Sequence, residues 1–508
     1  MSIDFATLNI FSITPMIIVL LGALGILAID LIVVRFYRGL YASLCAMILI
    51  LSLASVFYEN SSFLGAVGFF GFIKIDGFAF VAQIIILVTS ILFVFLSLSK
   101  NAYKEFECAE YYALFLFMIG GYQFMVSSTN LIVIFLGLEA SSLALYALIA
   151  LSKTDKGLEA AIKYFTLGAV GSGFFAFGLV FIYASVGSLE IGDLVIKLAS
   201  IAALGDSGGF LSYLSATNGN KYLLMLGFIF LLGAIGFKLS FFPFHSWVPD
   251  IYEGSNPPLA FYMSIATKIA AFIVALRVFT GFVEFESASL FPQIALFIIV
   301  VLTTTIPNII ALTQSDVQRM LAYSSISQAG FGLACIYVGS GESIVALFLY
   351  WILFLFSNLG AFGLLWLTHS KENSLDSRFD SPYTKFSGLI KTAPLIAISF
   401  AIFMLSLGGI PPFGLFWGKI FVISSAINGG HIVLALILLL NSGIAIYYYM
   451  KLIVFMFLKE PLNVSADFYA PNASASIITI IVIALIVCVG AIAFLGIILA
   501  HLWQYLGL

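Results

Sequence analysis

The chain has 508 residues, of which 62% are hydrophobic and 9% are charged. Because an average soluble domain has roughly 25% charged residues, this composition excludes a soluble globular protein and indicates a polytopic membrane protein. The net charge of −3 argues against a nucleic-acid partner.

Apolar runs long enough to cross a bilayer dominate the sequence. A transmembrane helix needs about 20 apolar residues, and windows of that size predict an all-α polytopic membrane protein with about fourteen transmembrane helices. The first run has neither a basic start nor a cleavage pattern, so we expect a retained helix and not a signal peptide. Spans 1 to 14 are predicted at residues 12–34, 40–58, 77–99, 110–128, 130–152, 160–186, 221–243, 257–281, 289–312, 319–339, 342–368, 392–425, 431–457 and 473–500.

Helix-breaking residues interrupt span 7 at Pro243 and span 12 at Pro411 and Pro412. Proline removes a backbone donor, and a membrane tolerates the loss only where protein or water satisfies the freed groups. Spans 7 and 12 are five positions apart and therefore cross the membrane in opposite directions, as in inverted repeats with an ion site at each break. Sequence similarity between the halves is slight, so this prediction depends on the breaks and the charges.

A single integral membrane domain over residues 1–508 is the predicted organisation. We expect spans 1–3 within residues 1–109, a first inverted five-helix repeat (spans 4–8) within 110–281, a second (spans 9–13) within 289–458 and span 14 within 473–508.

Basic residues are distributed unequally between the two sides, with twelve in the loops of one side and three in those of the other. Because basic residues are retained in the cytoplasm, the first set is predicted to be cytoplasmic and both termini periplasmic. The twelve are Arg35, Arg38, Lys100, Lys104, Lys153, Lys156, Arg319, Lys371, Arg378, Lys385, Lys391 and Lys459, and the three are Lys74, Lys197 and Lys221.

Five charged side chains lie well inside apolar runs, namely Glu139, Lys163, Lys238, Lys268 and Lys419. Each costs several kcal/mol at membrane depth unless it is paired or hydrated, so such residues are usually functional. A lysine, unlike an arginine, can release its proton when desolvated. The lysines are therefore candidates for proton transfer.

The depth of Glu139 sets it apart from the other carboxylates. It is nine residues into span 5, near the middle of the bilayer, and no other carboxylate is predicted to lie as deep. It is either a structural carboxylate held by a lysine or a group that responds to a lysine's protonation. We favour the second interpretation, because apolar packing could replace a merely structural pair at little cost.

The buried lysines differ in how strongly their positions indicate function. Lys238 precedes Pro243 by about one turn, and Lys268 is eleven residues into span 8, too deep to extend to the interface. Lys419 follows the second break, whereas Lys163 lies nearer the cytoplasmic end of span 6 and can reach solvent.

Other polar residues have open interpretations. His245, beside the first break, is either a proton relay or simply hydrogen-bonded. Arg277 and Lys451 lie toward helix ends and are interpreted as anchors. The polar residues of span 10 either line a wet path or join helices; they are Ser324, Ser325, Ser327 and Gln328.

No cofactor or metal site is expected in this chain. The cysteines have no C-x-x-C spacing and form neither a metal site nor a disulfide framework; they are Cys45, Cys108, Cys335 and Cys488. The run from Gly171 to Ala176 matches a dinucleotide fingerprint by letters, but it lies inside span 6 without a preceding strand. Small-residue helix packing is the better interpretation.

Two segments carry a family resemblance. Residues 243–254, PFHSWVPDIYEG, and residues 316–330, DVQRMLAYSSISQAG, resemble the hallmark segments of the antiporter-like subunits of respiratory complex I, the NADH-quinone oxidoreductase. The resemblance covers nearly the whole chain. Residues 136–148, Lys419 in span 12 and the end of the chain just after span 14 are most similar to the N-type members.

The resemblance implies a role for each buried charge. Glu139 and Lys238 would form the coupling pair, Lys268 the central relay and Lys419 the terminal proton carrier, and Lys163 would match a further family lysine. The protein would translocate protons in the bacterial inner (plasma) membrane, driven by quinone reduction in partner subunits that hold the flavin, Fe–S clusters and quinone.

The partners implied are other membrane-arm subunits of complex I, including another antiporter-like subunit and small membrane subunits, within the lipid bilayer. Two alternatives remain open. The chain is a subunit of a multisubunit cation/proton antiporter that exchanges sodium for protons, or it is a scaffold whose charges only hold helices together.

Overall fold

The computed structural model describes residues 9–32, 39–98, 104–207, 210–284, 290–368, 380–461 and 475–507. Within these ranges the chain forms eighteen α-helices and one two-stranded antiparallel hairpin. The helices are α1 (Thr14–Ile32), α2 (Leu40–Phe63), α3 (Gly77–Ser97), α4 (Ala109–Ser127), α5 (Leu131–Ala150), α6 (Asp155–Val186), α7 (Ile191–Ser207), α8 (Phe210–Leu239), α9 (Trp247–Gly254), α10 (Pro257–Glu284), α11 (Phe291–Thr313), α12 (Val317–Val338), α13 (Gly341–Leu367), α14 (Leu389–Thr392), α15 (Pro394–Gly408), α16 (Gly414–Asn428), α17 (Ile432–Leu458) and α18 (Ala475–Leu506). The strands, between α2 and α3, are β1 (Val67–Gly68) and β2 (Ile73–Lys74).

Twelve helices of the described ranges are long and apolar enough to cross a membrane. Span 4 corresponds to α4, a 19-residue helix outside this set that carries Glu110, Gln123 and three tyrosines. Span 12 is divided between two shorter apolar helices, α15 and α16. The chain is therefore an all-α multi-pass membrane protein, as predicted.

Some predictions from the sequence are not tested by this architecture. Orientation depends partly on basic residues outside the described ranges, and the two inverted repeats likewise stay a prediction. The segment between spans 6 and 7 contains a further helix, α7. The basic residues that lie outside the described ranges are Arg35, Arg38, Lys100, Lys371 and Arg378.

The core of the protein is built around α10, α12 and α13, which are buried along most of their length. Inside a membrane, helix association depends on close packing more than on the hydrophobic effect, and small residues permit that packing. Between α4 and α5 a Cβ at Gly121 would meet the carbonyl oxygen of Gly137 at 2.7 Å. A glycine is therefore required at this crossing.

Both predicted helix breaks are present, and protein atoms satisfy the groups that they free. Between α8 and α9, the backbone N–H of Phe242 donates to Thr303 Oγ1 (3.0 Å), and Trp247 Nε1 donates to the carbonyl oxygen of Phe237 (3.1 Å). Between α15 and α16, the backbone N–H of Leu415 donates to Ser406 Oγ (3.3 Å). These bonds meet the condition under which a membrane tolerates irregular backbone.

A buried ion pair joins α10 to the start of α3. Arg277 donates from two nitrogens to the Asp76 carboxylate at 2.8 and 2.9 Å and to the carbonyl oxygen of Val126 at 3.0 Å. Asp76 also caps α3 by accepting from the backbone N–H of Ala79 (2.8 Å). Arg277 thus fastens α10 to α3 and α4, in agreement with its interpretation as an anchor.

We predict that Arg277→Leu strongly destabilises the protein, because it leaves the Asp76 carboxylate buried without a counter-charge. Breaking a buried pair from one side costs about 3–5 kcal/mol. The measurement is the thermal unfolding midpoint of the assembled subunit. The matched control is Lys391→Leu, which breaks an exposed pair with Glu460 and should change stability by less than about 1 kcal/mol. Equal effects of the two variants would contradict the anchoring role.

Candidate proton-transfer site

Glu139 and Lys238 are each held by a different serine hydroxyl. Glu139, half-buried on α5, accepts a hydrogen bond from Ser172 Oγ of α6. Lys238 Nζ, from the last turn of α8, donates to Ser142 Oγ at 2.6 Å. Ser142 is one turn after Glu139, and its own hydroxyl proton is donated to the carbonyl oxygen of Leu138. Among the described residues, no ion pair joins this glutamate and this lysine.

Aromatic rings surround the Lys238 ammonium group. Nζ lies 5.6 Å from the ring centre of Tyr164, 5.7 Å from that of Phe237 and 5.9 Å from that of Tyr146. Rings at this distance attract a cation through their quadrupoles. Trp247, the first residue after the break, stacks on Tyr164 at 4.6 Å. Trp247 thus supports, from the far side of the break, one of the three aromatic rings that contact the lysine.

Lys268 is 1% exposed and lies on α10, which is buried along most of its length. Its Nζ donates to two atoms of Ser325 on α12, the carbonyl oxygen at 2.7 Å and Oγ at 2.8 Å. Both acceptors are neutral. Within the described ranges, the ammonium group of Lys268 has no carboxylate partner.

Lys419 is 4% exposed, and its ammonium group forms hydrogen bonds with backbone carbonyl groups that the second break leaves free. Its Nζ donates to the carbonyl oxygens of Leu407 (3.1 Å) and Gly408 (3.2 Å), which lie at the end of α15 and have no partner further along that helix. A cation is also favourable at a helix C-terminus because of the helix dipole. Lys419 follows its break, whereas Lys238 precedes its own, so the two breaks use their lysines differently.

Gln328 lies between Lys268 and Lys419. It is one turn beyond Ser325 on α12, and its Nε2 contacts the same Leu407 carbonyl oxygen that accepts from Lys419, at 3.5 Å. Tyr350 donates to its Oε1, and Tyr449 OH lies 3.4 Å from its Nε2. The polar residues of span 10 thus join α12 to its neighbouring helices, and Ser325 and Gln328 also contact the surroundings of the two lysines.

Lys163 belongs to a different group of charges. Its side chain is 42% exposed and pairs with Glu159 (2.7 Å) and Asp250 (2.8 Å). Asp250 also accepts from Arg319 (3.0 Å), which contacts Glu253 as well. The network continues through Lys156, which pairs with Glu253 and Asp380. Lys163 therefore lies in a surface ionic network that connects α6, α9 and α12, apart from the other three lysines.

His245 lies in the break between α8 and α9 and is half-buried. Its ring is 5.4 Å from the ring of Phe242. Nδ1 is buried without a hydrogen-bond partner among the described residues. The structure thus brings His245 to the break but shows no contact, within the described ranges, between it and any of the buried lysines.

Glu139, Lys238, Lys268 and Lys419 are called the row of buried charges below. The sequence did not assign several residues that contact them. Ser142 and Ser172 hold the first lysine and the glutamate, and Tyr350 and Tyr449 orient Gln328. A serine three residues after Glu139 is the only signal that could have indicated the first of these. The described residues contain no group of three or more His, Cys, Asp or Glu side chains suited to a metal ion.

Known proteins are similar to this chain along most of its length. The family model described as NADH:quinone oxidoreductase/Mrp antiporter, TM, matches residues 128–445. The fold and this match place the chain in the class of membrane subunits that NADH:quinone oxidoreductases and Mrp antiporters share.

Curated relatives of this chain narrow the class to one kind of subunit. The NADH-quinone oxidoreductase subunit N of Campylobacter hominis is 49% identical over 96% of this chain and 96% of its own length. That of Sulfurimonas denitrificans is 48% identical over 96% and 94%. A chain of respiratory complex I from Thermus thermophilus superposes with a TM-score of 0.75 at 28% identity, covering 96% of this chain and 99% of that one. The chain belongs to the family of NADH-quinone oxidoreductase subunit N.

Gly409 provides a test of how the second break holds Lys419. Its φ is +77°, and a Cβ there would lie 2.7 Å from the Cδ of Lys419. We predict that Gly409→Ala costs about 1–2 kcal/mol of backbone strain, with a further loss because Lys419 is pushed from its carbonyl acceptors. The measurement is the thermal unfolding midpoint of the assembled subunit.

Gly430→Ala is the matched control, because Gly430 has a φ of +81° and nothing within 4 Å of an added Cβ. It should show the backbone strain alone. The further loss should shrink in Gly409→Ala/Lys419→Met, where no ammonium group is displaced. Identical stabilities of Gly409→Ala and Gly430→Ala would contradict the packing of Lys419 against this turn.

Proposed function

We propose that this chain is a proton-translocating membrane subunit of NADH-quinone oxidoreductase in a bacterial inner membrane. It moves protons through Glu139, Lys238, Lys268 and Lys419, driven by quinone reduction in partner subunits. Those partners include a further antiporter-like subunit and small membrane subunits, and they hold the flavin, Fe–S clusters and quinone. The observation that carries the proposal is the row of buried lysines bonded to neutral oxygens.

The first step takes place at Glu139 and Lys238. In the described arrangement each has its own serine, and the lysine lies one turn of α5 from the carboxylate. A shift of α8 relative to α5 would exchange Ser142 for Glu139 as the partner of the ammonium group. A carboxylate stabilises the charged amine and a hydroxyl does so less, so the exchange alters how tightly the lysine holds its proton.

The second step carries the proton from Lys268 to Lys419. Ser325 contacts the first lysine, and the Leu407 carbonyl oxygen is shared by Gln328 and the second. A hydroxyl both donates and accepts hydrogen bonds, so Ser325 can serve a charged or a neutral amine. Between Lys238 and Lys268, Tyr252 hydrogen-bonds to Ser325, and water would complete the path from there to Lys238.

The two helix breaks support an inverted-repeat organisation with five helices in each half. The first repeat would include the break between α8 and α9, and the second the break between α15 and α16. With the basic loops in the cytoplasm and both termini periplasmic, the ionic network around Lys163 and Arg319 lies at the cytoplasmic end and Arg277 at the periplasmic end.

Replacing Lys238 or Glu139 with alanine tests the proton-transfer role. We expect Lys238→Ala and Glu139→Ala to reduce proton translocation coupled to quinone reduction, because losing a positioned proton-transfer group slows its step by about a hundredfold or more. The measurement is proton uptake by vesicles holding the assembled complex. Lys451→Ala is the control, because Lys451 donates to the carbonyl oxygen of Gln314 at a helix end. Full translocation by a normally assembled Lys238→Ala complex would refute the assignment, and loss of assembly alone would support the scaffold alternative.

A sodium gradient separates the proposed function from a cation/proton antiporter. We expect proton movement in vesicles to follow quinone reduction and to be the same in sodium and in choline buffers. The physical reason is that the row offers ammonium groups, which repel a metal cation. Proton exchange driven by sodium without an electron donor would show the antiporter instead.

A further inference from the structure

Glu59 is a buried carboxylate outside the row of buried charges. It is 5% exposed, whereas Glu139 is half-buried. Burial inside the protein differs from depth in the membrane, so the expectation that no carboxylate lies as deep as Glu139 stays a prediction. Span 2 was predicted to end at residue 58, but α2 continues to Phe63. One further helical turn therefore carries Glu59 into the packed interior.

Three buried oxygen atoms at this place have no hydrogen-bond partner among the described residues. They are Glu59 Oε1, Asn60 Oδ1 and Gln83 Oε1, and their side chains line one small cavity. Gln83, itself 5% exposed, donates from Nε2 to Ser127 Oγ at 2.9 Å, which leaves its oxygen available to the cavity. Buried polar atoms normally have partners, so three unpaired acceptors in one place call for an explanation.

The charges around the cavity do not neutralise Glu59. Asp76 also lines it, but its carboxylate is occupied by Arg277 and by the N-terminus of α3. Lys74 lines the cavity from β2, yet its side chain is exposed and, within the described ranges, forms no ion pair with Glu59. The Glu59 carboxyl group thus accepts a backbone hydrogen bond from Thr14 but has no cationic partner among the described residues, and its charged form is costly in the protein interior.

We propose that this cavity binds one small monovalent cation, such as sodium, through the oxygens of Glu59, Asn60 and Gln83. Oxygen-only ligands suit hard cations. The single carboxylate of Glu59, when ionised, matches one positive charge, whereas a divalent ion would require more. The cavity has room for a body about the size of one water molecule, which such an ion does not exceed.

The bound cation stabilises the contact between the N-terminal helices and the rest of the protein. Its ligands come from α2 and α3, and Ser127 at the end of α4 orients Gln83. This role is independent of the proposed proton transfer, because the cavity contains none of the buried lysines.

Equilibrium binding of radioactive sodium to the intact purified complex tests the site. Wild type should bind one more ion per complex than Glu59→Gln, which keeps the shape but removes the charge. Gln83→Met removes a neutral ligand and should weaken binding about tenfold, as expected for loss of about 1.4 kcal/mol. Potassium should compete with sodium and choline should not.

Glu342→Gln is the control, since it alters an exposed carboxylate that accepts from Asn428 and should leave binding unchanged. If Glu59→Gln does not assemble, the tenfold loss in Gln83→Met decides the question. Absence of saturable binding in wild type, or equal binding in wild type and both cavity variants, would overturn the proposal and leave a proton or water as the partner of Glu59.

Discussion

Three ammonium groups inside this membrane protein are hydrogen-bonded to neutral oxygen atoms, and the other features of the structure are best understood from this constraint. Lys238 donates to a serine hydroxyl, Lys268 to a serine hydroxyl and carbonyl, and Lys419 to two carbonyls at a helix end. A carboxylate in direct contact would favour the charged amine more strongly than these oxygens do. Neutral partners meet the hydrogen-bonding requirement and, under the proposed function, leave the proton exchangeable.

The second helix break makes the bonding of Lys419 possible. Inside a helix each carbonyl oxygen already accepts one backbone hydrogen bond, although its second lone pair can accept another, as that of Ser325 does from Lys268. The end of α15 leaves the carbonyls of Leu407 and Gly408 available, and Lys419 returns from α16 to occupy them. Ion pairs that hold the protein together lie elsewhere: Arg277 with Asp76 at one end of α10, and the network of Arg319 near the other. Structural charges are thus paired, and the charges of the row are not.

The sequence could predict features that depend on local composition. Apolar runs marked the spans, prolines marked both breaks, and Lys268 and Lys419 are buried, as their positions inside apolar runs indicated. Partners could not be predicted, because Ser172 and Ser325 reach their charges across helix interfaces far apart in the chain. Glu59 was missed because an apolar window ends at the first polar residues, although the helix itself continues to Phe63.

Replacing Lys268 with arginine most directly tests whether the row transfers protons or only carries charge. Arginine keeps the positive charge and the donors for Ser325, but it does not release its proton at physiological pH. In vesicles holding the assembled complex, we expect Lys268→Arg to leave assembly largely intact and to abolish the protons translocated through this subunit for each quinone reduced. Normal translocation with arginine at this position would show that Lys268 is a fixed charge and would contradict the account.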